Sequence, residues 1–275
     1  MSTALVEAVV ANITTWLGTL PNTTTNLIID IGTNTDPQMP GPGYAVLGFE
    51  PVVHELIETR HRHLHVARAA VSADDGVATM RVMGMQSRSR PSMSSSLSDG
   101  AAGASGGWNG WAVPRRRVQV AVLSLSRLLL ELLPPRLTVW LLKTDMQGHD
   151  YGALASAPRA ALRRAHYVQA EASLFGVPSF ASPRGNDFCA QHVPLLQAAG
   201  FELHALRSSW AYKHVLHGPN ATADACRAGV GWLAANTSTL RIGRDNEADG
   251  HWRRADTPLP RPPVSWPWRG VLVSE

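Results

Sequence analysis

Residues 138–150, Thr-Val-Trp-Leu-Leu-Lys-Thr-Asp-Met-Gln-Gly-His-Asp, constrain the fold of this chain more than any other segment. The stretch opens with an apolar run, residues 139–142, which is typical of a strand buried on both faces of a parallel sheet. Polar side chains then begin abruptly at Lys143. In open α/β sheets ligands bind beyond the carboxyl ends of the strands, so the polar residues after this run mark a candidate site. Gly148 allows the chain to turn from the strand into a helix.

The size and composition of the chain indicate one α/β domain with appendages. With 275 residues, of which 44% are hydrophobic and 17% charged, the chain can bury a sizeable core. We predict a lead-in helix at residues 1–25, the α/β domain at 26–217 and a Trp-, Pro- and Arg-rich arm at 218–275. Within the domain, residues 86–114 are rich in Ser, Gly, Ala and Arg, which predicts a flexible surface insertion.

Charge and the N-terminal segment bear on partners and location. The net charge of +4 is small for this length, so we interpret the basic run at residues 115–117 as a solvated patch and predict no nucleic-acid partner. Residues 1–20 are interrupted by polar side chains and lack a basic start, so we expect neither a membrane span nor a signal peptide. Four Asn-x-Ser/Thr tripeptides leave a secretory route open, although a cytoplasmic location is favoured.

Cysteines and histidines give no metal prediction. Cys189 and Cys226 are too few for a disulfide-rich scaffold or a zinc site, and we predict that they are free thiols. His61, His63 and His65 resemble a ligand cluster in spacing, but they straddle a predicted helix end and a strand start. No acidic residue accompanies them, so we interpret them as solvated surface.

A glycine turn and an acidic residue follow two early strands in an arrangement typical of cofactor binding. Residues 26–30 form a predicted buried strand that ends at Asp30, and Gly32 permits a tight turn with close backbone approach to a ligand. The next predicted strand, residues 44–49, ends at Glu50, twenty residues after Asp30. A carboxylate at that place can accept hydrogen bonds from ribose hydroxyls. The alternative is a helix-capping Asp30 and a solvated Glu50, and this pattern alone does not separate the two.

The rest of the chain continues the alternation of strands and helices. A third strand is predicted at residues 64–72, and Asp-Asp-Gly at 74–76 predicts a hairpin with a strand at 77–83. Residues 166–171 predict another core strand, with Glu171 at its carboxyl end. The other predicted elements are helices at 52–62, 124–133, 149–155, 158–164 and 187–199, a strand at 118–123, and a closing hairpin of residues 201–206 and 210–216.

Taken in order, five short motifs resemble the FkbM family of S-adenosylmethionine-dependent methyltransferases. They are Asp-Ile-Gly-Thr-Asn from Asp30, Gly-Phe-Glu-Pro from Gly48, Ala-Val-Ser-x-x-x-Gly from Ala70, Ser-Ser-Ser-Leu from Ser94, and Leu-Lys-Thr-Asp-Met-Gln-Gly-His-Asp from Leu142, followed by Glu171. The resemblance implies a Rossmann-like class I methyltransferase fold, an α/β fold with a mainly parallel sheet and an antiparallel final strand. It also implies S-adenosyl-L-methionine as the cofactor and, in the better-known members, methyl transfer to a hydroxyl oxygen.

By the resemblance, one group of residues lines the cofactor site. Its first three members would lie at the methionine end, the fourth would hold the ribose, and one of the last two would contact the adenine. These residues are Asp30, Gly32, Asn34, Glu50, Ala70 and Val71.

A second group of residues would serve the methyl acceptor, which we expect to be a small molecule or a carbohydrate. Transfer to a hydroxyl needs in-line positioning and a base, or a metal, that takes up the proton. Asp145, His149 and Glu171 are the candidate bases, and Lys143 could orient a carboxylate or polarise the acceptor. The structural alternatives are a buried Lys143–Asp145 pair, a His149 that merely begins a helix, and a satisfied carboxylate at the strand end.

Three departures from the family pattern bear on activity. Asp36 stands where the family usually has glycine, and its charge would lie near the cofactor carboxylate. The crossover at residues 33–43 contains three prolines and leaves room for one helical turn at most. Gln147 replaces a commoner acidic residue and so removes a charge near the acceptor. The alternative function is therefore a non-catalytic interaction module that retains the fold. A nicotinamide-dependent oxidoreductase is disfavoured because Gly-x-Gly-x-x-Gly is absent after Asp30.

Overall fold

The computed structural model describes residues 2–34, 36–52, 61–85, 97, 112–173, 184–208, 215–217, 226 and 247–257. Its strands are β1 (Asn26–Ile31), β2 (Tyr44–Phe49), β3 (Leu64–Ala67), β4 (Ala69–Ser72), β5 (Gly76–Met85), β6 (Ala112–Ser124), β7 (Thr138–Thr144), β8 (Ala165–Ser173), β9 (Phe201–Ser208), β10 (Val215–His217) and β11 (Glu247–Arg254). Its helices are α1 (Ser2–Thr19), α2 (Leu125–Arg127), α3 (Asp150–Ser156), α4 (Arg159–Leu162) and α5 (Val193–Ala198). A π-helical turn, Leu128–Leu132, continues α2, and another, Phe188–His192, precedes α5.

The central sheet has the strand order β10-β9-β11-β8-β7-β1-β2-β3. From β3 to β8 each neighbouring pair is parallel, whereas β11 is antiparallel to both β8 and β9. The carboxyl ends of β1, β2, β7 and β8 therefore meet at one edge. The predicted fold class, a Rossmann-like α/β fold with a mainly parallel sheet and an antiparallel final strand, is confirmed.

Alternation along the strands places apolar side chains on both faces of this sheet. Ile29 and Leu142 belong to the main core, which packs one face of the sheet against α1 to α5. Ile28 and Leu141, their neighbours along the strands, belong to a smaller core on the opposite face. Burial on both faces explains why residues 139–142 carry no polar side chain. No helix among the described residues is long and apolar enough to cross a membrane.

The crossover between β1 and β2 is as short as the prolines predict. The two strands pair in parallel, with Asp30 opposite Gly48, and the described residues between them form no helical turn. The loop instead folds back on the strand that it leaves, because the backbone N–H of Gln38 donates to Asp30 Oδ2 at 2.8 Å. A side-chain contact thus replaces the helix that usually covers such a connection.

The hairpin predicted around residues 74–76 is wrong. The predicted strand at 64–72 divides into β3, which joins the central sheet, and β4, which joins a second sheet of order β4-β6-β5. β6 lies between β4 and β5, parallel to the first and antiparallel to the second. The chain does turn at these residues, as predicted. However, β5 pairs with β6 and not with β4, and β6 is a long strand that begins at Ala112, inside the predicted insertion.

Most of the predicted helices are present. Ser124 caps α2 by accepting a hydrogen bond from the Arg127 N–H, and Gly200 ends the last helix with φ of +89°. The predicted pair at residues 149–164 corresponds to α3 and α4. The predicted helix at 52–62 lies largely outside the described residues, as does most of the insertion at 86–114.

The arm contributes a strand to the middle of the central sheet. β9 and β10 form the predicted closing hairpin, but the strand that lies between β8 and β9 is β11, which comes from residues 247–254. Its Trp252 is fully buried against Phe188. The boundary at residue 217 stays a prediction, and β11 is the part of the arm that the sheet incorporates.

The two cysteines are bonded, so the prediction of free thiols is wrong. Cys189 in the π-helical turn before α5 forms a disulfide with Cys226 in the arm, with the two Cα atoms 5.4 Å apart. The cysteines are separated by 37 residues in sequence, and Phe188, the neighbour of Cys189, packs against Trp252 of the same arm. Sequence spacing cannot reveal a contact of that kind.

Replacing Cys226 by Ser should lower the free energy of unfolding by about 2–4 kcal/mol, because the disulfide closes a long loop in the unfolded chain. Urea unfolding of Cys226→Ser and of the wild type, with and without reductant, measures the change. The reductant should shift the wild-type midpoint and leave that of the variant in place. Equal midpoints for all samples would show that the bond does not stabilise the fold.

Candidate active site

A buried ion pair lies at the base of the candidate site. Asp30, at the end of β1, is fully buried, and its Oδ1 accepts a hydrogen bond from Lys143 Nζ at 2.9 Å. Burial by itself lowers the pKa of Lys143, but the negative charges of Asp30 and Asp145 outweigh it and raise the pKa above its ordinary value. Lys143 is therefore a fixed cation at neutral pH. It lies at the carboxyl end of β7, where the sequence places the change from apolar to polar residues.

Two loops touch directly above this pair. Gly32 has φ of +79°, and a Cβ on it would lie 1.9 Å from the carbonyl oxygen of Asp145. The Asp145 N–H in turn donates to the carbonyl oxygen of Ile31 at 3.0 Å. Only glycine satisfies both the left-handed conformation and the contact, so the loop after β1 and the loop after β7 pack backbone to backbone.

Glu50 holds the loop after β1 in place. It is buried, its Oε1 accepts from the Val52 N–H at 2.8 Å, and its Oε2 accepts from the Asn34 N–H at 3.1 Å. Asn34 is in the left-handed region, with φ of +50°. These two bonds fix the orientation of the carboxylate beside the loop.

A cavity of about 470 Å³ opens between these loops and the second sheet. It brings together eight of the ten residues predicted from the sequence, namely Gly32, Asn34, Glu50, Ala70, Val71, Lys143, Asp145 and His149. Asp30 lies behind Lys143, and Glu171 is reached through Gln147. Asp36, the departure from the family pattern, also lines the cavity. Among the described residues, one end of the wall is apolar and includes Val52, Met80 and Leu97.

The opposite end of the cavity is acidic. The side chain of Asp145 is 37% exposed, and its Oδ2 lies 3.8 Å from Lys143 Nζ. Its Oδ1 accepts from Gln147 Nε2 at 3.0 Å, and the same nitrogen lies 3.3 Å from Glu171 Oε2. Two carboxylates from neighbouring strands thus converge on one amide.

His149 and Asp150 begin α3 beside this acidic end. His149 lines the cavity, and burial lowers its pKa, so the imidazole is neutral at neutral pH. Asp150 is fully buried and accepts from the Met146 N–H at 3.2 and 3.3 Å. Burial, and then the charge of Asp145, raise the pKa of Asp150. Asp150 lies in the first turn of α3, and the role of His149 as a base stays a prediction.

A buried amide, which no sequence motif indicated, lies beside the acidic end of the cavity. Asn186 Nδ2 donates to the carbonyl oxygen of Glu171 at 3.2 Å, and Asn186 Oδ1 accepts from the Tyr151 N–H at 3.0 Å. His192 Nε2 lies 2.9 Å from the same Oδ1 and must be the donor, and burial lowers the pKa of His192 to about 3. Asn186 therefore joins the end of β8 to the start of α3.

Asp249 is a second residue that the sequence analysis missed. It lies on β11 directly opposite Glu171, and its charge also helps to raise the pKa of Lys143. Polar and apolar residues alternate along residues 247–254, a period typical of a strand, but the Trp-, Pro- and Arg-rich composition of the arm concealed it.

The three histidines that were interpreted as solvated surface are only partly so, because His61 is exposed but His63 and His65 are half-buried. The rings of His61 and His63 are 5.6 Å apart, and His65 stacks on Trp16 at 5.3 Å. Within the described ranges, no three His, Cys, Asp or Glu side chains are placed to hold a metal ion.

A parallel sheet with a glycine turn after β1 and an acid after β2 is an arrangement that occurs in nucleotide-cofactor-binding α/β domains. The model of the Methyltransferase FkbM domain matches residues 30–203. Because this match covers more than half of the chain, the protein belongs to the FkbM methyltransferase family. Comparison with curated proteins and with solved structures gave no match. β11 and Asp249 lie outside the matched residues.

The cavity fits S-adenosylmethionine in size and in chemistry. Its volume falls within the range of about 300–1,000 Å³ that is usual for ligand pockets. Glu50 offers acceptors for ribose hydroxyls, and Val52, Met80 and Leu97 offer an apolar surface for the adenine. Gly32 would allow the backbone close to the ligand.

Replacing Gly32 by Ala should destabilise the protein and abolish cofactor binding, because the new Cβ collides with the Asp145 carbonyl oxygen. The backbone conformation alone should cost about 1–3 kcal/mol. Gly76→Ala is the matched control, since nothing lies within 4 Å of its added Cβ. Thermal unfolding and calorimetric titration with S-adenosylmethionine measure both effects. Wild-type binding by Gly32→Ala would mean that the two loops do not meet as described.

Proposed function

We propose that this protein transfers the methyl group of S-adenosylmethionine to a hydroxyl oxygen of a small molecule or carbohydrate. The observation that carries the proposal is the position of Asp145. Its half-exposed carboxylate lies at the acidic end of a cavity whose other wall holds Glu50 and an apolar surface. A cofactor that spans the cavity would place its reactive end beside a carboxylate that can accept a proton.

The residues divide between holding the cofactor and handling the acceptor. Glu50 would accept hydrogen bonds from the ribose, and the loop at Gly32 and Asn34 would lie against the methionine end. When bound, S-adenosylmethionine supplies an electrophilic methyl group on a positively charged sulfur. Ala70 and Val71 would lie near the adenine.

Asp145 would orient the acceptor and take up its proton. Its carboxylate would accept a hydrogen bond from the acceptor hydroxyl and would take up the proton that the hydroxyl loses on methylation. Lys143, held by Asp30, would hold the carboxylate in place. Glu171 would act as a second acceptor for hydroxyls of the substrate. His149, which is neutral and also lines the cavity, would be the second candidate for the proton.

Calorimetric titration with S-adenosylmethionine and S-adenosylhomocysteine, with NAD as the control, tests the cofactor directly. Binding of the first two without NAD supports the proposal and justifies a screen of methyl glycosides, amino sugars and small polyols for S-adenosylhomocysteine formation. No binding by folded protein would favour the non-catalytic module and point to Asp36 and the short crossover as the cause.

Replacing Glu50 by Gln should weaken S-adenosylmethionine binding at least about tenfold, which corresponds to about 1.4 kcal/mol. In the variant, the amide NH₂ group would face the backbone N–H of Val52 or of Asn34. The side chain would also offer one acceptor fewer to the ribose. Glu202→Gln is the matched control, because Glu202 is an exposed partner of Arg253. An unchanged dissociation constant for Glu50→Gln would remove the ribose role from this carboxylate.

Replacing Asp145 by Asn should lower kcat by at least about a hundredfold, since the side chain can no longer take up a proton. S-adenosylmethionine binding should stay close to that of the wild type. Asp256→Asn, which alters an exposed aspartate paired with Arg254, controls for the loss of one negative charge. Undiminished turnover in Asp145→Asn would exclude Asp145 as the base.

A further inference from the structure

The side chain of Gln147 lies between the two acidic candidates of the site. Its Nε2 is 3.0 Å from Asp145 Oδ1 and 3.3 Å from Glu171 Oε2. A primary amide nitrogen carries two hydrogens, so each carboxylate can receive one of them. Gln147 therefore connects, by side-chain contacts, the residue that follows β7 with a residue near the carboxyl end of β8.

The backbone at this position is shaped to present that side chain. Gln147 has φ of +53° and Gly148 has φ of +94°, so two consecutive residues are in the left-handed region. Such a conformation is unfavourable for a residue with a Cβ and persists where the surrounding contacts offset its cost. The turn places Gln147 in the wall of the cavity, next to Asp145.

Electrostatics explain why a donor is needed there. Glu171 is buried and Asp145 is partly exposed, and two carboxylates of the same sign repel each other more strongly as water is excluded. Lys143 lies 3.8 Å from Asp145 but is held at 2.9 Å by Asp30. The amide of Gln147 is closer to Asp145 than the ammonium is, and it also reaches Glu171.

We propose that Gln147 is a positioning residue for the methyl-accepting substrate. Its amide holds Asp145 and Glu171 together, so that the two carboxylates can accept hydrogen bonds from the hydroxyl groups of that substrate. The catalytic consequence rests on the proposed function, whereas the bridge itself does not. Glutamate has the same shape as glutamine, but at this position it would add a third carboxylate and would need a cation to hold the three together. The amide of Gln147 connects the two carboxylates without a cation.

Gln147→Glu tests the bridge without any knowledge of the acceptor. In EDTA its melting temperature should fall below that of the wild type by about 2–4 °C or more, and millimolar Ca²⁺ or Mn²⁺ should restore it. Gln119→Glu is the matched control, because Gln119 is an exposed residue of β6 that donates to Thr79. The control and the wild type should show no such recovery. A Gln147→Glu protein that melts like the wild type in EDTA, with no response to cations, would overturn the proposal.

Gln147→Asn separates bridging from backbone conformation. Asparagine tolerates the left-handed region at least as well as glutamine, but its shorter side chain cannot span the two carboxylates. We expect unchanged affinity for S-adenosylmethionine and a tenfold or larger rise in KM for whichever glycoside or polyol is methylated. Wild-type KM and kcat in Gln147→Asn would contradict the positioning role.

The two proposals fail in different ways. If the wild type does not bind S-adenosylmethionine, the proposed function fails, and the cation response of Gln147→Glu still decides whether the bridge exists. If the cofactor binds but no compound of the panel is methylated, the proposed class of hydroxyl-rich substrates is contradicted. The melting experiment with Gln147→Glu then still tests the bridge.

Discussion

The buried pair of Asp30 and Lys143 is the interaction on which the rest of the site depends. It joins two adjacent central strands at matching positions of the sheet, where the apolar core ends. A buried charge without its partner is costly, typically by about 3–5 kcal/mol, so neither side chain can be changed without disturbing both strands. The same aspartate holds the crossover through the Gln38 N–H, and the same lysine faces Asp145. One ion pair thus positions the loop after β1 and the loop after β7 together.

The loops above this pair are stabilised by the groups that would bind ligands. Glu50 accepts hydrogen bonds from the loop after β1, and Gln147 joins the carboxylates at the ends of β7 and β8. Positive φ angles at Gly32, Asn34 and Gln147 show where the chain bends to bring these groups inward. Because the contacts exist in the protein by itself, a ligand would enter a site whose polar groups are already oriented, which reduces the ordering that binding requires.

The sequence predicts those parts of the fold that depend on local pattern. The apolar run before Lys143, the glycine after β1 and the acid after β2 each express a strand and the turn that follows it, and the structure brings most of the predicted residues to one cavity. What the sequence did not predict depends on distant partners. The pairing of β6 between β4 and β5, the Cys189–Cys226 bond and the entry of β11 into the sheet all need the three-dimensional arrangement, and no local propensity encodes them.

The position of β11 has a consequence for how the chain is made. This strand lies between β8 and β9, yet it is synthesised after both of them. Until residues 247–254 leave the ribosome, the backbone groups of β8 and β9 that face each other across the gap have no strand to pair with. Exposed strand edges of this kind are the places where chains associate wrongly. The central sheet therefore closes late in synthesis, and a chain that stops after β10 would present two open edges in place of a finished core.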